Sequence, residues 1–358
     1  MGLAIFVGTL IGLGQDVTTP RPVSPAAEVK QTIGLSDVTV NYSRPRLTLN
    51  GVDRSGKIWG QQVPYGLSNP GGGTATQAPW RAGANENTVI TFSDDVKIDG
   101  KPLQAGKYGF HIIVNDGDKA TLIFSKTHTS WGNFFYDAKD DALRVDITTK
   151  VIPNTEVLTY AFEDMGNDFA VLALSWEKKK FPFKIEFDVH KIVLARFRDE
   201  LRGLPGFGWQ GFQTAATYCL NNNINLEEAL GWADIAATRN KTFPTLSTKA
   251  AVLYQMGRQA ESEKILDDAI ASATMPQINA VGYQLLAAKR YAKAIEVLQI
   301  NVKNNPTDAN SFDSLGEAYK MSGDKDNAVK NLKKSLSLNP PAPVKANSEK
   351  LLRELGEI

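Results

Sequence analysis

The residues best suited to molecular recognition are crowded into one short segment, Trp80–Thr88. Arg81, Asn85 and Glu86 follow a tryptophan there, directly before an alternating segment that predicts a strand. A guanidinium presents five N–H donors and an aromatic ring offers a flat apolar surface, so the combination suits a polar recognition site with an aromatic platform. The same residues could instead form an arginine–carboxylate or arginine–backbone network that ties a loop to the sheet edge. That second interpretation is the favoured one.

Two further residues could complete such a site. Arg44, in Arg44-Pro45-Arg46, follows another predicted strand, and His111 lies inside the alternating segment Lys107–Val114. Because one face of such a strand is buried, a structural histidine is the favoured interpretation of His111. The predicted, weakly supported ligand-binding set is Arg44, Trp80, Arg81, Asn85, Glu86 and His111.

The motifs that usually indicate catalysis or cofactor binding are absent from the sequence. There is no G-x-S-x-G or H-E-x-x-H motif, and no G-x-G-x-x-G directly after a predicted strand, as a dinucleotide fingerprint requires. Cys219 is the single cysteine, which excludes an internal disulfide and a zinc site of the paired-cysteine type. Gly51–Ile58 matches the first part of a phosphate-binding loop, but Ile58 stands where serine or threonine is required. We therefore predict no cofactor and no metal, and favour a protein that is not an enzyme.

Short alternating segments separated by turn signals predict an all-β domain over residues 20–190. Many short strands without helices between them are typical of a sandwich or an open barrel. Leu67–Pro79, with three consecutive glycines, predicts a long surface loop. The predicted strands are Val38–Tyr42, Thr88–Phe92, Lys107–Val114, Ala120–Phe124, Leu143–Ile147, Glu156–Phe162, Phe169–Ser175 and Phe183–Val189.

From about Lys191 the hydrophobic period changes to that of helices. Residues 191–208 predict a connecting helix and linker, and residues 209–358 predict helical hairpins with a C-terminal cap helix from Val344 to Leu355. One small residue recurs in each second helix at steps of 33, 32 and 34 residues, namely at Ala229, Ser262, Ala294 and Ala328. The pattern resembles tetratricopeptide repeats, whose period is about 34 residues, most specifically over the last ~85 residues.

The first fourteen residues predict a signal peptide. Leu3–Leu13 is an apolar run, and Gly12-Leu13-Gly14 provides a small-x-small cleavage pattern before Gln15, although no basic residue precedes the run. The run is too short to span a bilayer, so no membrane span is predicted. We therefore expect an exported protein that is periplasmic, cell-surface or secreted. Forty basic against thirty-nine acidic side chains give no overall basic footprint, so we predict no nucleic-acid partner.

Several separated blocks resemble the domain-of-unknown-function family 2911, over roughly residues 20 to 190. The resemblance implies an exported bacterial β domain, followed in some members by tetratricopeptide repeats, for which no activity is established. This chain departs from the pattern by a glycine-rich insertion between Gly66 and Trp80. The blocks are Ser24–Pro45, Lys57–Gly60, Val63–Gly66, Trp80-Arg81, Gly83–Glu86, Leu103–Tyr108, Trp131-Gly132 and Leu143–Val145.

The sequence thus predicts an exported binding or scaffold protein, with a β domain of unknown ligand and a helical module that docks a protein or peptide. One alternative is an envelope hydrolase acting on glycan or peptide through Arg81, Glu86 and His111. Another is a purely structural envelope component. Convergence of Glu86 and His111 in one deep pocket would favour the hydrolase, and a fully packed sheet would favour the structural role.

Overall fold

The chain folds into two compact units that divide between Ala195 and Arg196. The structure is a computed structural model that describes residues 23–358, so the predicted signal peptide lies outside the described residues. The first unit is β-rich and the second is entirely helical, which confirms the predicted fold class. They are called here the β unit and the helical unit.

The β unit consists of two large antiparallel sheets and a short two-stranded sheet, β3-β4. One has six strands in the order β1-β2-β5-β8-β9-β10, and the other has four in the order β11-β12-β6-β7. The strands are β1 (Ala26–Ile33), β2 (Ser36–Ser43), β3 (Thr48–Leu49), β4 (Val52–Asp53), β5 (Thr88–Phe92), β6 (Val96–Ile98), β7 (Lys101–Leu103), β8 (Gly106–Val114), β9 (Lys119–Ser125), β10 (Asp141–Thr148), β11 (Lys150–Met165) and β12 (Phe169–Phe187).

The two sheets pack face to face as a sandwich. On β8 the alternating residues Tyr108, Phe110 and Ile112 are buried in the hydrophobic core. The ring of Phe110 lies 5.7 Å from that of Phe183, on β12 of the other sheet. Since side chains alternate between the two faces of a strand, Gly109 and His111 lie on the outer face of the six-stranded sheet.

The strand β12 corrects one prediction. Two separate strands were expected, Phe169–Ser175 and Phe183–Val189, but one strand runs through the charged residues between them. Glu177 has φ +51°, and the register against β11 shifts on both sides of the pair Thr155–Glu177. A bulge of this kind bends a strand without ending it, so the break in hydrophobic alternation does not mark a loop.

The edge strand β1 was not among the predicted strands. Seven of its eight residues are exposed or only half-buried, and it pairs with β2 alone. An edge strand is held mainly by backbone hydrogen bonds to one neighbour, so it carries a weak hydrophobic pattern.

The helical unit contains four hairpins, α2–α3, α4–α5, α6–α7 and α8–α9, followed by α10. Helix α1 begins in the β unit and ends in the helical unit. Among the described residues, none of the helices is long and apolar enough to cross a membrane. The helices are α1 (Val189–Glu200), α2 (Gln210–Asn222), α3 (Leu226–Arg239), α4 (Phe243–Gln255), α5 (Gln259–Ile270), α6 (Met275–Ala287), α7 (Tyr291–Asn304), α8 (Ala309–Ser322), α9 (Lys325–Ser337) and α10 (Ala342–Glu354).

Close helix crossings explain the small residues of the repeats. Ala229, Ser262, Ala294 and Ala328 are all at most 2% exposed. In the third hairpin, a Cβ atom on Gly282 would lie 2.5 Å from a methyl group of Leu298, so the two helices approach too closely for any side chain. Gly316 meets Leu332 in the same way in the fourth hairpin.

Replacing Gly282 by alanine is therefore expected to lower the free energy of unfolding by about 1–3 kcal/mol, the usual effect of overpacking. Gly231 in α3 provides the matched control, because nothing lies within 4 Å of a Cβ placed there. Gly231→Ala should instead stabilise the chain by about 0.5–1 kcal/mol through its helix propensity. Thermal denaturation of both variants checks this, and equal behaviour of the two would contradict the close crossing.

Candidate functional site

Trp80 forms part of the common wall of two cavities in the β unit. The larger has a volume of about 590 Å³ and the smaller one of about 340 Å³. Both are lined by Gln62, Trp80, Gly83 and Ala84, and the pair is called here the Trp80 cleft. The larger cavity is also lined by Val23–Pro25, Pro45, Arg46, Thr48, Leu49, Asn50, Arg54, Val63 and Trp176, and the smaller by Pro64, Ser68–Pro70, Arg81, Asn85 and Asn133.

The position of Trp80 follows from sheet pairing and from aromatic packing. Its backbone exchanges two hydrogen bonds with Ile112 of β8, at 3.0 and 2.8 Å. Its ring stacks on Trp176 at a centroid distance of 6.1 Å and meets Trp59 edge-on at 5.6 Å. Its Nε1 donates to Gly83 O at 3.2 Å. Trp80 is therefore both a wall of the cleft and a member of an aromatic cluster.

Arg81 is held by neutral acceptors. Its Nη1 donates to Asn85 O at 2.6 Å and its Nη2 to Asn133 Oδ1 at 2.8 Å. The guanidinium lies 4.9 Å from the centroid of the Phe134 ring, and burial lowers its pKa. A Cβ on Gly132 would overlap this guanidinium, so a glycine is needed there for the loop to cover Arg81. The arrangement is an arginine–backbone network, and it also faces the smaller cavity.

Local backbone conformation places Asn85 beside the cleft. Asn85 has φ +61°, a left-handed value that asparagine tolerates better than most residues, and its Nδ2 donates to Ser24 O at 3.2 Å. Three residues earlier, Ala82 also has a positive φ. The Ala82 carbonyl accepts hydrogen bonds from Thr88 Oγ1 at 3.1 Å and from Tyr160 Oη at 2.8 Å, which hold the turn in place.

Three residues of the predicted set do not line either cavity. Arg44 donates to Leu158 O at 3.1 Å and to Thr159 Oγ1 at 2.7 Å, so it ties β2 to β11. Glu86 accepts a long hydrogen bond of 3.4 Å from Ser43 Oγ. The third is His111. Of the six predicted residues, the fold therefore brings Trp80, Arg81 and Asn85 to the cleft.

His111 lies on the outer face of the six-stranded sheet and is only 2% exposed. The ring of Tyr136 covers it at a centroid distance of 5.5 Å. Its Nδ1 has no hydrogen-bond partner within residues 23–358. Burial first, and the positive charge of Arg81 second, lower the pKa of His111 to about 4. It is therefore a neutral imidazole at pH 7, packed beneath a loop.

Convergence of Glu86 and His111 in one deep pocket would favour the hydrolase alternative. Neither residue lines the Trp80 cleft. The geometry that would have favoured that alternative is therefore not found in these cavities.

The cleft also contains residues that sequence reasoning did not include in the site. Arg46 was noted only as the neighbour of Arg44, whereas Arg54, Gln62 and Trp176 carried no local signal. The glycine-rich insertion contributes Ser68–Pro70 to the smaller cavity, so it forms part of the wall of the cleft in this chain.

A second group of polar residues crosses the first helices of the last repeats and is called here the acidic row: Tyr283, Asp313, Glu317 and Asn347. Tyr283 Oη donates to Glu317 Oε2 at 3.0 Å, which joins α6 to α8. Asn347 Nδ2 donates to Asp313 Oδ2 at 2.8 Å, which joins α10 to α8. Burial raises the pKa of Asp313, and hydrogen bonds from Ser348 and Asn347 oppose that shift.

A protein-family model matches the β unit. Residues 24–185 match the family described as "Protein of unknown function (DUF2911)", which confirms the family resemblance.

Two curated proteins share part of the sequence. They are cellulose synthase operon protein C of Escherichia coli strain K12 and the putative cellulose synthase operon protein C of E. coli O157:H7. Each is 34% identical over 108 residues, which is 30% of this chain. The chain matches only 9% of the length of these relatives.

Solved structures resemble part of the chain at low overall similarity. MamA from Desulfovibrio magneticus RS-1, from residue 41 to its end, is 20% identical over 42% of this chain and 86% of its own, with a TM-score of 0.29. PilF from Pseudomonas aeruginosa is 21% identical over 43% of this chain and 71% of its own, also with a TM-score of 0.29. YrrB, described as "a TPR protein with an unusual peptide-binding site", is 16% identical over 45% of this chain and 84% of its own, at 0.29. The assignment of helical hairpins rests on the helix bounds given above.

Proposed function

We propose that this chain, a β domain matching family DUF2911 joined to a helical-repeat unit, is an exported docking protein whose helical unit holds a basic segment of a partner protein. The observation that carries the proposal is the acidic row. Repeat arrays of helical hairpins build extended surfaces from equivalent positions of successive repeats, and the acidic row spans the first helices α6 and α8 and the C-terminal helix α10.

The charges of the acidic row lack compensation within the described part of the chain. Several other carboxylates of the helical unit have a basic partner, as in the pair Glu263–Arg290 at 2.9 Å. Within residues 23–358, neither Asp313 nor Glu317 has a lysine or arginine nitrogen within 4.0 Å. A half-buried carboxylate without a cation is complementary to a lysine or arginine supplied by a partner.

The test uses a fluorescently labelled, lysine-rich peptide in extended form and measures its anisotropy on titration with the full chain. We expect the wild-type protein to bind it and Glu317→Gln to weaken binding by roughly fivefold to tenfold, about 1 kcal/mol for a partly exposed charge pair. The substitution keeps the acceptor for Tyr283 Oη, so the fold should be unaffected.

Asp268→Asn is the matched control, because Asp268 is an exposed carboxylate on α5, outside the acidic row. It removes the same charge and should leave peptide affinity unchanged. An acidic peptide of the same length should not bind. Undiminished binding by Glu317→Gln, or equal binding of the acidic peptide, would rule out the acidic row as the docking surface.

The exported location belongs to this proposal and is supported by the apolar run at residues 3–13. Sequencing of the mature N-terminus from the native host tests it, with Gln15 as the expected first residue. The cavities of the β unit argue against the purely structural alternative.

A further inference from the structure

The Trp80 cleft carries an excess of positive charge. Three arginines line it, Arg46 and Arg54 in the larger cavity and Arg81 in the smaller. None of the described residues that line either cavity is an aspartate or a glutamate. A concave surface lined by one sign of charge concentrates ligands of the opposite sign.

No nearby carboxylate of residues 23–358 neutralises the three arginines. Within the described residues none of them has a carboxylate oxygen within 4.0 Å, whereas Arg144 on β10 is paired with Asp141 at 2.7 Å. The pKa of Arg81 is lowered by burial. A partly desolvated cation is stabilised by a counterion, which an entering anion would supply.

The hydrogen bonds of these arginines are consistent with positive charges that no counterion compensates within residues 23–358. Arg54 donates to Leu47 O and Gln62 Oε1, each at 3.2 Å, and to the carbonyl of Arg46, all of which are neutral acceptors. These contacts fix the guanidinium in position without cancelling its charge. The side chain of Arg46 is exposed and makes no hydrogen bond within the described residues.

The remaining wall of the cleft is apolar or neutral. Trp80, Trp176 and Pro45 provide flat apolar surface. The Nε1 of buried Trp176 has no acceptor within residues 23–358. A cavity of about 590 Å³ is within the range that holds a small organic molecule.

We infer that the Trp80 cleft binds an organic oxyanion, a carboxylate- or phosphate-bearing molecule with a ring-shaped body. The anionic group lies against the arginines, and the body lies against the tryptophan wall. The site is separate from the acidic row of the helical unit, so either one can fail without the other.

Binding is measured by isothermal titration of the full chain with three sugars. Trigalacturonate supplies carboxylates, trehalose 6-phosphate supplies a phosphate, and maltotriose is the neutral control. We expect at least one anionic sugar to bind about tenfold or more tightly than maltotriose, with an affinity that falls as salt is raised. The better of the two identifies the anion.

Arg46→Gln is the decisive variant, because Arg46 is exposed and its side chain holds nothing else in place. It should weaken the binding of the anionic sugar by about tenfold, as expected for the loss of a charge-assisted contact. Lys107→Gln removes the same charge from an exposed site on β8 and should have no effect. The inference is overturned if neither anionic sugar binds at millimolar concentration, if maltotriose binds equally well, or if Arg46→Gln and Lys107→Gln behave alike.

Discussion

Acidification from pH 7 to pH 4 is expected to lower the free energy of unfolding of the β unit by about 3 kcal/mol through His111 alone. The pKa of this histidine is about 4 in the folded chain, against an ordinary value of 6.5. The unfolded chain therefore binds a proton as the pH falls through 6.5, while the folded chain stays neutral until the pH approaches 4. The stabilisation is complete above pH 6.5 and is lost progressively between pH 6.5 and pH 4.

Urea denaturation at several pH values, followed by the near-ultraviolet signal of the aromatic cluster, measures this slope. His111→Gln should flatten the dependence between pH 6.5 and pH 4, whatever its effect on stability at pH 7. His128→Gln is the matched control and should retain the wild-type slope. If His111→Gln loses stability with pH as steeply as the wild type, the buried neutral imidazole is not the cause.

Trp80→Ala is expected to lower the free energy of unfolding by about 3 kcal/mol, at the lower end of the range for a tryptophan truncated to alanine. The reason is the loss of ring contacts with Trp59, Trp176 and Phe181. Their ring centroids lie 5.6, 6.1 and 6.3 Å, respectively, from that of Trp80. Thermal denaturation checks the value.

Trp131→Ala is the control for this prediction, because Trp131 is 53% exposed. Its removal should change stability by no more than about 0.5 kcal/mol, as for most surface substitutions. A Trp80→Ala variant as stable as Trp131→Ala would mean that Trp80 is an exposed platform and not a structural member of the cluster.

The helical repeats were predictable because their signals are local. Each hairpin must bury one small residue where its helices cross, so Ala294 and Ala328 recur at nearly fixed spacing. The strands with strong alternation, such as β5 and β8, were predictable for the same reason. The continuity of β12 through Glu177 was not, because a bulge is stabilised by pairing with β11, a neighbour that the local pattern does not reveal.

The Trp80–Glu86 segment stood out by itself, since its residue types are crowded within a few positions. What those residues do depended on partners far along the chain. Arg81 meets Asn133 rather than Glu86, and Trp80 stacks on Trp176, almost a hundred residues away. Residue types alone could not distinguish a core tryptophan from a cavity wall, and Trp80 is both.

Sequence alone thus determined the order of the two units, the hairpin period and one short segment of the cleft, because periodicity and local crowding are properties of neighbouring residues. Only the tertiary structure brought Arg46 and Arg54 to that segment, with no compensating carboxylate among residues 23–358. It also decided that His111, on the outer face of its strand, is covered by Tyr136 and so remains neutral. The convergence of side chains at a site and their removal from water both arise from contacts between residues distant in sequence. The alternation of a strand predicts the face on which a side chain lies, but not what covers that face.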